Sequence, residues 1–187
     1  MIGKVIPWAN QAGLAILPTL ARIIFAAVLL FYFWNAALTK IGPGPFGLLS
    51  PSVAAYAQIF PKTMESLGYD ISQLGLFHWA VAVAGTLAEF MLPALIVLGL
   101  LTRLAALGMV SFVMMQSWVD VHGHGVSAET IGAWFDGPSD GTILDQRALW
   151  MLLFAVLILL GPGPLSVDRL VFGRRVSGVS KGQSIPA

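Results

Sequence analysis

The chain has 187 residues; 57% of them are hydrophobic, only 10% are charged, and the mean hydropathy is +0.84. Soluble domains carry roughly 25% charged residues and disordered chains need low hydrophobicity with high charge, so the composition excludes both classes and indicates a membrane protein. The net charge of +1 argues against a nucleic-acid partner. The absence of cysteine excludes thiolate metal ligands, iron–sulfur ligation and cysteine nucleophiles.

Four stretches reach or approach the roughly 20 apolar residues that a membrane-spanning helix needs. They cover, in chain order, about residues 14–37, 75–100, 104–121 and 145–162. The first stretch contains Arg22 and is too long for the core of a signal peptide. The fourth ends at the Gly-Pro-Gly-Pro run of residues 161–164, which stops a helix. The sequence therefore predicts an all-α, four-helix transmembrane bundle that forms a single membrane domain over residues 1–187.

The connections between these helices are unequal. Residues 38–74 and 122–144 form two long loops at one end, whereas only a few residues around Thr102 join the second helix to the third at the other end. That tight turn predicts that helices two and three are antiparallel neighbours. In the first long loop, apolar residues at helical spacing predict a short amphipathic helix on the membrane surface. These apolar residues are Val53, Tyr56, Ala57, Ile59 and Phe60.

Lysine and arginine are distributed asymmetrically between the two ends, which sets the orientation of a membrane protein. The end that carries both termini holds Lys4, Arg103, Arg169, Arg174, Arg175 and Lys181. The end that carries the long loops holds only Lys40, Lys62 and Arg147. We therefore expect both termini, with the tail of residues 166–187, to be cytoplasmic, and both long loops to lie outside.

Two ionisable residues lie away from the ends of the predicted spans, Arg22 in the first and Glu89 in the second. Such a residue is costly in hydrocarbon and is a functional-site hypothesis by default. The length of an arginine side chain allows an ion pair between them, which would be either a clamp between helices or an anchor for a ligand or proton path. Pro93 leaves the Glu89 carbonyl without its helical donor, and Gly85 lets a flat ligand approach. Glu89 and Arg22 are therefore the catalytic candidates.

A second set of polar side chains is predicted at the outer ends of the helices. The substrate-binding candidates are Asn35, Lys40, His78, Gln116 and Arg147. If the four helix ends converge, these groups line one mouth, where Lys40, His78 and Arg147 would attract an anionic electron donor from outside.

The run Asp120-x-His122-x-His124 has three readings: half of a metal site, a solvated loop, or a site of proton transfer or anion binding. One short glycine-flanked segment supplies all three side chains, so we predict no metal and keep them as weak candidates. There is no P-loop, dinucleotide glycine fingerprint or zincin motif. No haem, iron–sulfur or nucleotide site is evident.

Five segments form a recognisable order along the chain: Leu20-Ala21-Arg22, Leu38-Thr39-Lys40, Leu87-Ala88-Glu89-Phe90, the junction at 98–106 and the closing run at 159–168. Taken together, they resemble the DoxX family. The resemblance covers roughly residues 16–170 and implies a four-helix protein of the bacterial inner membrane. That family includes the small membrane subunit of thiosulfate:quinone oxidoreductase. By this resemblance, Arg22, Lys40, Glu89 and Arg103 match recurring polar positions of the family.

Two functions of different class follow. In the first, the chain is a quinone-linked redox subunit in which Glu89 and Arg22 orient or protonate a quinone, and a small anionic or sulfur substrate arrives from the periplasmic side. In the second, it is a non-catalytic structural or assembly subunit of a larger membrane complex. Both expect the lipid bilayer and another membrane or periplasmic subunit as partners, and neither expects nucleic acid.

Overall fold

The computed structural model describes the backbone of residues 2–173 and, except for residues 2–10 and 172, their side chains. Every regular element in this part of the chain is helical, and four helices are long and apolar enough to cross a membrane. They are Gln11–Lys40, Leu76–Leu98, Thr102–His124 and Thr142–Leu160. The predicted all-α, four-helix architecture is confirmed. Most of the predicted tail, with Arg174, Arg175 and Lys181, lies outside the described residues.

The four spanning helices form a ring in which each one packs against two neighbours. The first helix contacts the second and the fourth, and the third also contacts the second and the fourth. Large side chains fill the centre; Phe25, Ile96, Met109 and Phe154 are fully buried. The rings of Phe25 and Phe154 meet at a centroid distance of 5.9 Å. Apolar faces that point outward from this core suit the lipid bilayer.

The first spanning helix contains one turn of π-helix, Ala26–Leu30, between the α-helical parts Ile2–Phe25 and Phe31–Lys40. Its buried positions recur every four residues, whereas an α-helix repeats every 3.6. These positions are Ala21, Phe25, Leu29, Phe33 and Ala37. The wider π turn takes up the extra residue and keeps the buried stripe on one face. The helix also continues three residues beyond its predicted end, so Lys40 is its last residue.

We call the end of the bundle where the second helix turns into the third the tight-turn end. Gly99 and Leu101 both adopt left-handed conformations there, with φ of 70° and 49°. Glycine is required at position 99, because a Cβ atom would lie 2.7 Å from the Arg22 guanidinium carbon. The Asp168 carboxylate accepts hydrogen bonds from the backbone amides of Leu101 and Thr102 at 2.7 and 2.9 Å. The segment after the fourth helix therefore locks this turn.

We call the opposite end, with both long connections, the long-loop end. The first connection contains two short helices, Val53–Ile59 and Pro61–Ser66, and the second contains Ala128–Ile131. The Val53–Ile59 helix is the one predicted from apolar spacing; it is capped by Ser52, whose Oγ accepts from the amide of Ala55. It packs on the first and second spanning helices. These short helices form a cover over the long-loop half of the bundle.

Candidate functional site

A cleft of about 450 Å³ separates the second and third spanning helices in the half nearer the long-loop end. Nearer the tight turn the same two helices touch closely, since a Cβ at Gly108 would lie 2.9 Å from Leu92. The walls are mostly small or apolar. They consist of Val81, Ala84, Gly85 and Ala88 on the second helix and Phe112, Met115, Gln116 and Val119 on the third. The cleft exists because the small residues of the second helix leave a space that the larger side chains of the third helix do not fill.

The cleft faces the side of the bundle as well as its end. Ala84 and Met115, which line it from opposite walls, are both exposed at the outer face of the helices. At the long-loop end the cleft is bordered by Gln58, Asp120 and His124. The backbone carbonyl of Gln58 lies 3.1 Å from Nε2 of His124. This contact links the Val53–Ile59 helix to the third spanning helix above the cleft.

Lys40 and Glu89 form a buried ion pair that lines the cleft. The Lys40 Nζ donates to both Glu89 carboxylate oxygens, at 3.0 and 2.9 Å, and to the backbone carbonyl of Ala36 at 3.1 Å. The two residues are 5% and 4% exposed. Breaking such a pair by removing one partner strands a charge in a medium of low dielectric constant. The pair therefore holds the end of the first helix against the middle of the second.

The hypothesis that Arg22 and Glu89 form an ion pair is wrong. The Arg22 guanidinium donates to the carbonyls of Ile96 at 2.9 Å and Val97 at 2.6 Å, and to those of Pro162 and Leu165 beyond the fourth helix. The carbonyls of residues 96 and 97 lie seven and eight residues past Glu89, about 11 Å along the helix axis. Arg22 thus belongs to the tight-turn end and is absent from the cleft.

A second ion pair joins Asp120 of the third helix to Arg147 of the fourth. Arg147 is buried, and its two terminal nitrogens donate to Asp120 Oδ2 at 2.6 Å and to Ser117 Oγ at 2.8 Å. Asp120 borders the cleft, whereas Arg147 borders a smaller apolar groove of about 320 Å³ between the third and fourth helices. The pair joins the third and fourth helices beside the long-loop end of the cleft.

The other predicted substrate-binding residues are divided by the fold. Gln116 lines the cleft, and its Nε2 donates to the Tyr32 hydroxyl at 3.1 Å. His78 packs away from the cleft against Phe60, with ring centroids 4.9 Å apart. Asn35 lies on an exposed face of the first helix. The structure therefore brings Lys40 and Gln116 together with Glu89, and leaves His78 and Asn35 apart.

The side chains of Asp120, His122 and His124 point to three different partners. Asp120 bonds to Arg147, the His122 ring stacks on Trp118 at a centroid distance of 3.8 Å, and His124 contacts Gln58. Within the described residues, no three His, Asp or Glu side chains are grouped so that they could hold a metal ion. Of the three, Asp120 and His124 border the cleft and His122 does not.

The comparison with known families bears on the helices that build this cleft. The DoxX family profile matches residues 17–123, which include the second spanning helix, most of the first and third, and the Lys40–Glu89 pair. The chain belongs to the DoxX family. No curated protein and no solved structure matches the chain.

Two features of this DoxX protein escaped the sequence analysis. Gln58 borders the cleft from a surface helix, and Asp168 fastens the tight turn from beyond the fourth helix. Both act across long sequence separations, so no local pattern marks them. The sequence predicts Lys40 as an anion-attracting residue, whereas the structure pairs it with Glu89. The available signal was that Glu89 needs a buried cation and that Lys40 directly follows the apolar run of the first helix.

Proposed function

We propose that this protein is a quinone-binding membrane subunit of a redox complex and that the quinone head group occupies the cleft beside Lys40 and Glu89. One observation carries this proposal. A cleft that opens sideways between two membrane helices, at Ala84 and Met115, ends on a buried ion pair. A quinone is dissolved in the bilayer and has a polar head on an apolar tail, so it needs a site of this form.

The dimensions and lining of the cleft support this proposal. Its volume of about 450 Å³ falls in the usual range of small-molecule sites, roughly 300–1,000 Å³. Such sites are mainly apolar and orient the ligand with a few polar groups. Phe112 offers an aromatic face to a flat ring, and Gly85, which has no side chain, leaves space for that ring. Glu89 lines the same cleft and offers a hydrogen-bond acceptor.

Reduction of a quinone consumes two electrons and two protons and produces a quinol. We assign the oxidation of a small anionic or sulfur donor to a partner subunit on the periplasmic side. Lys40 and Arg147 are each neutralised by a carboxylate, so neither retains the charge that would hold an anion beside the cleft. Glu89 and Lys40 orient the head group. Asp120 and His124 border the cleft at the long-loop end, where they would exchange protons between the cleft and water.

The experiment is quinone binding to the purified full chain in nanodiscs. We expect bound quinone to be lost in Gly85→Leu, because a larger side chain at this position fills the cleft; an added Cβ already meets Ile59 at 3.7 Å. Binding should fall at least tenfold, while the Lys40–Glu89 pair stays intact. Tryptophan fluorescence quenching by a short-tailed quinone provides the dissociation constant.

The matched control is Ala80→Leu, which adds similar apolar bulk to an exposed position of the same helix, outside the cleft. It should bind quinone as the natural chain does. Equal binding by all three proteins would place the ligand elsewhere. Absence of quinone from the natural chain, together with stable co-purification with a larger assembly, would instead establish a structural subunit.

A further inference from the structure

We infer that the cleft selects the reduced, hydroxyl-bearing form of its ligand, a quinol, over the oxidised carbonyl form. This inference rests on the proposed function and adds which redox state the site stabilises. It follows from counting which hydrogen bonds the buried ion pair has already used and which remain for a ligand.

The charged donor at the buried end of the cleft, the Lys40 ammonium group, is fully engaged. A lysine ammonium group has three N–H donors and no acceptor. Nζ of Lys40 has three acceptors within 3.1 Å, namely the two Glu89 oxygens and the Ala36 carbonyl. A ligand carbonyl oxygen can therefore receive a hydrogen bond from Lys40 only if one of these contacts is broken.

The acceptors at the same end are still available. A carboxylate has about four lone-pair positions on its two oxygens, and each Glu89 oxygen accepts only from Lys40 among the described residues. Oε1 of Gln116, on the facing helix, is buried and has no hydrogen-bond partner in the described part of the chain. Both unfilled positions call for a donor, and a hydroxyl group on an aromatic ring is such a donor.

The groups at the long-loop end do not reverse this preference. Nε2 of His124 is engaged with Gln58. Arg147, whose Nε has no partner among the described residues, borders the neighbouring groove and not the cleft, and its terminal nitrogens are engaged with Asp120 and Ser117. One amide N–H of Gln58 and one of Gln116 remain beside their bonds to Thr39 and Tyr32, and both are neutral donors. The charged acceptor at Glu89 therefore dominates the choice, because hydrogen bonds to charged groups are the stronger ones.

The selection has a thermodynamic consequence for the bound carrier. A site that binds the reduced form more tightly raises the reduction potential of the bound couple, and for a two-electron couple each tenfold difference in affinity corresponds to about 30 mV. Bound quinone then accepts electrons more readily than quinone free in the bilayer. The cleft would favour reduction of the carrier by a donor subunit.

The test compares three ligands with the same short tail: the quinone, the quinol kept reduced under anaerobic conditions, and the quinol dimethyl ether, which has the same ring but no donor. We measure their binding to the full chain in phosphatidylcholine nanodiscs. The quinol should bind about ten- to a hundredfold more tightly than the other two, as expected for a hydrogen bond to a charged acceptor. A diacylglycerol serves as a fourth ligand, since a lipid hydroxyl has the same donor chemistry.

The variant Glu89→Gln replaces the charged acceptor by an amide that can also donate. In this variant the quinol preference should shrink to about threefold or less, provided that its thermal unfolding shows a folded protein. If it does not fold, the ligand comparison on the natural chain still decides. Equal or tighter binding of the quinone, or of the ether, overturns the inference but leaves the proposed function standing. Binding of diacylglycerol alone, or of none of the ligands, overturns both.

Discussion

At the scale of single residues, Lys40 and Arg22 show how a membrane protein accommodates two buried cations by different means. Lys40 meets a carboxylate, whereas Arg22 meets four backbone carbonyls at the end of the second helix and beyond the fourth. The guanidinium group has five donors in a fixed fork, which suits carbonyls that come from different segments. The two residues therefore stabilise different contacts and should respond independently to mutation.

This independence gives a prediction from double-mutant cycles. Glu89→Gln and Lys40→Met should each destabilise the bundle by about 3–5 kcal/mol, because each strands a buried partner. Combined, they should recover part of that loss, with a coupling of about 0.5–3 kcal/mol. Glu89→Gln combined with Arg22→Met should instead be additive. The measurement is unfolding in detergent for the single and double variants; coupling between Arg22 and Glu89 would contradict the contacts described above.

Arg22 itself should be sensitive even to a conservative change. Arg22→Lys keeps the charge but cannot reach two adjacent carbonyls of the second helix and two of the segment after the fourth helix at once, so we expect a loss of at least about 2 kcal/mol. Arg103→Lys is the control, since Arg103 lies at the same end but is exposed and makes one bond of 3.3 Å to Leu159. The melting temperature of the control should stay close to that of the natural chain. Similar losses in both variants would show that Arg22 has no special role.

At the scale of elements, the tight turn depends on a residue far away in sequence. Asp168 accepts hydrogen bonds from Leu101, from the backbone and from the hydroxyl of Thr102, and its own amide donates to Gly99 at 2.8 Å. A carboxylate at the start of the third helix also complements the positive end of the helix dipole. The segment after the fourth helix thus acts as a cap on the third.

Asp168→Ala should therefore reduce stability by about 1–2 kcal/mol, the usual cost of losing an N-cap. The same change at Asp136, an exposed residue of the second long connection, should have little effect. Hydrogen exchange of the amides around Thr102 is a second measurement, and it should accelerate only in Asp168→Ala. Unchanged exchange there would argue against the cap.

The spanning helices could be predicted, because an apolar run of some twenty residues can be recognised from the local sequence alone. The contacts of Lys40 could not. A lysine after an apolar run indicates a loop, but here the helix continues through Lys40 and its side chain turns back to the carbonyl of Ala36. The depth at which Lys40 meets the second helix depends on how the connecting residues 41–59 position the end of the first helix. That is a tertiary property, and it also decided where Arg22 lies.

At the scale of the whole molecule, the two ends of the bundle differ in kind. The tight-turn end is closed by Arg22 and Asp168, whereas the long-loop end carries the cleft, its cover and two ion pairs. The distribution of lysine and arginine leads us to propose that the long-loop end faces the periplasm and the termini the cytoplasm. The orientation decides which compartment the polar border of the cleft adjoins.

The absence of cysteine from the sequence makes this orientation easy to test. A single cysteine at Lys62, exposed at the long-loop end, should react with a membrane-impermeant maleimide on intact cells. One at Arg103, exposed at the tight-turn end, should react only after permeabilisation. The natural chain gives the background. The reverse pattern would invert the topology.

The pairing of charges at the cleft also determines how the protein responds to the electric field across its membrane. Moving one elementary charge through 100 mV involves about 2.3 kcal/mol. Lys40 with Glu89, and Arg147 with Asp120, are each neutral as pairs, and a quinone or quinol is neutral as well. Exchange of one carrier molecule for another therefore moves no net charge through the field. Cleft occupancy should thus be the same in an energised and a resting cell, so that the local carrier concentration, rather than voltage, controls it.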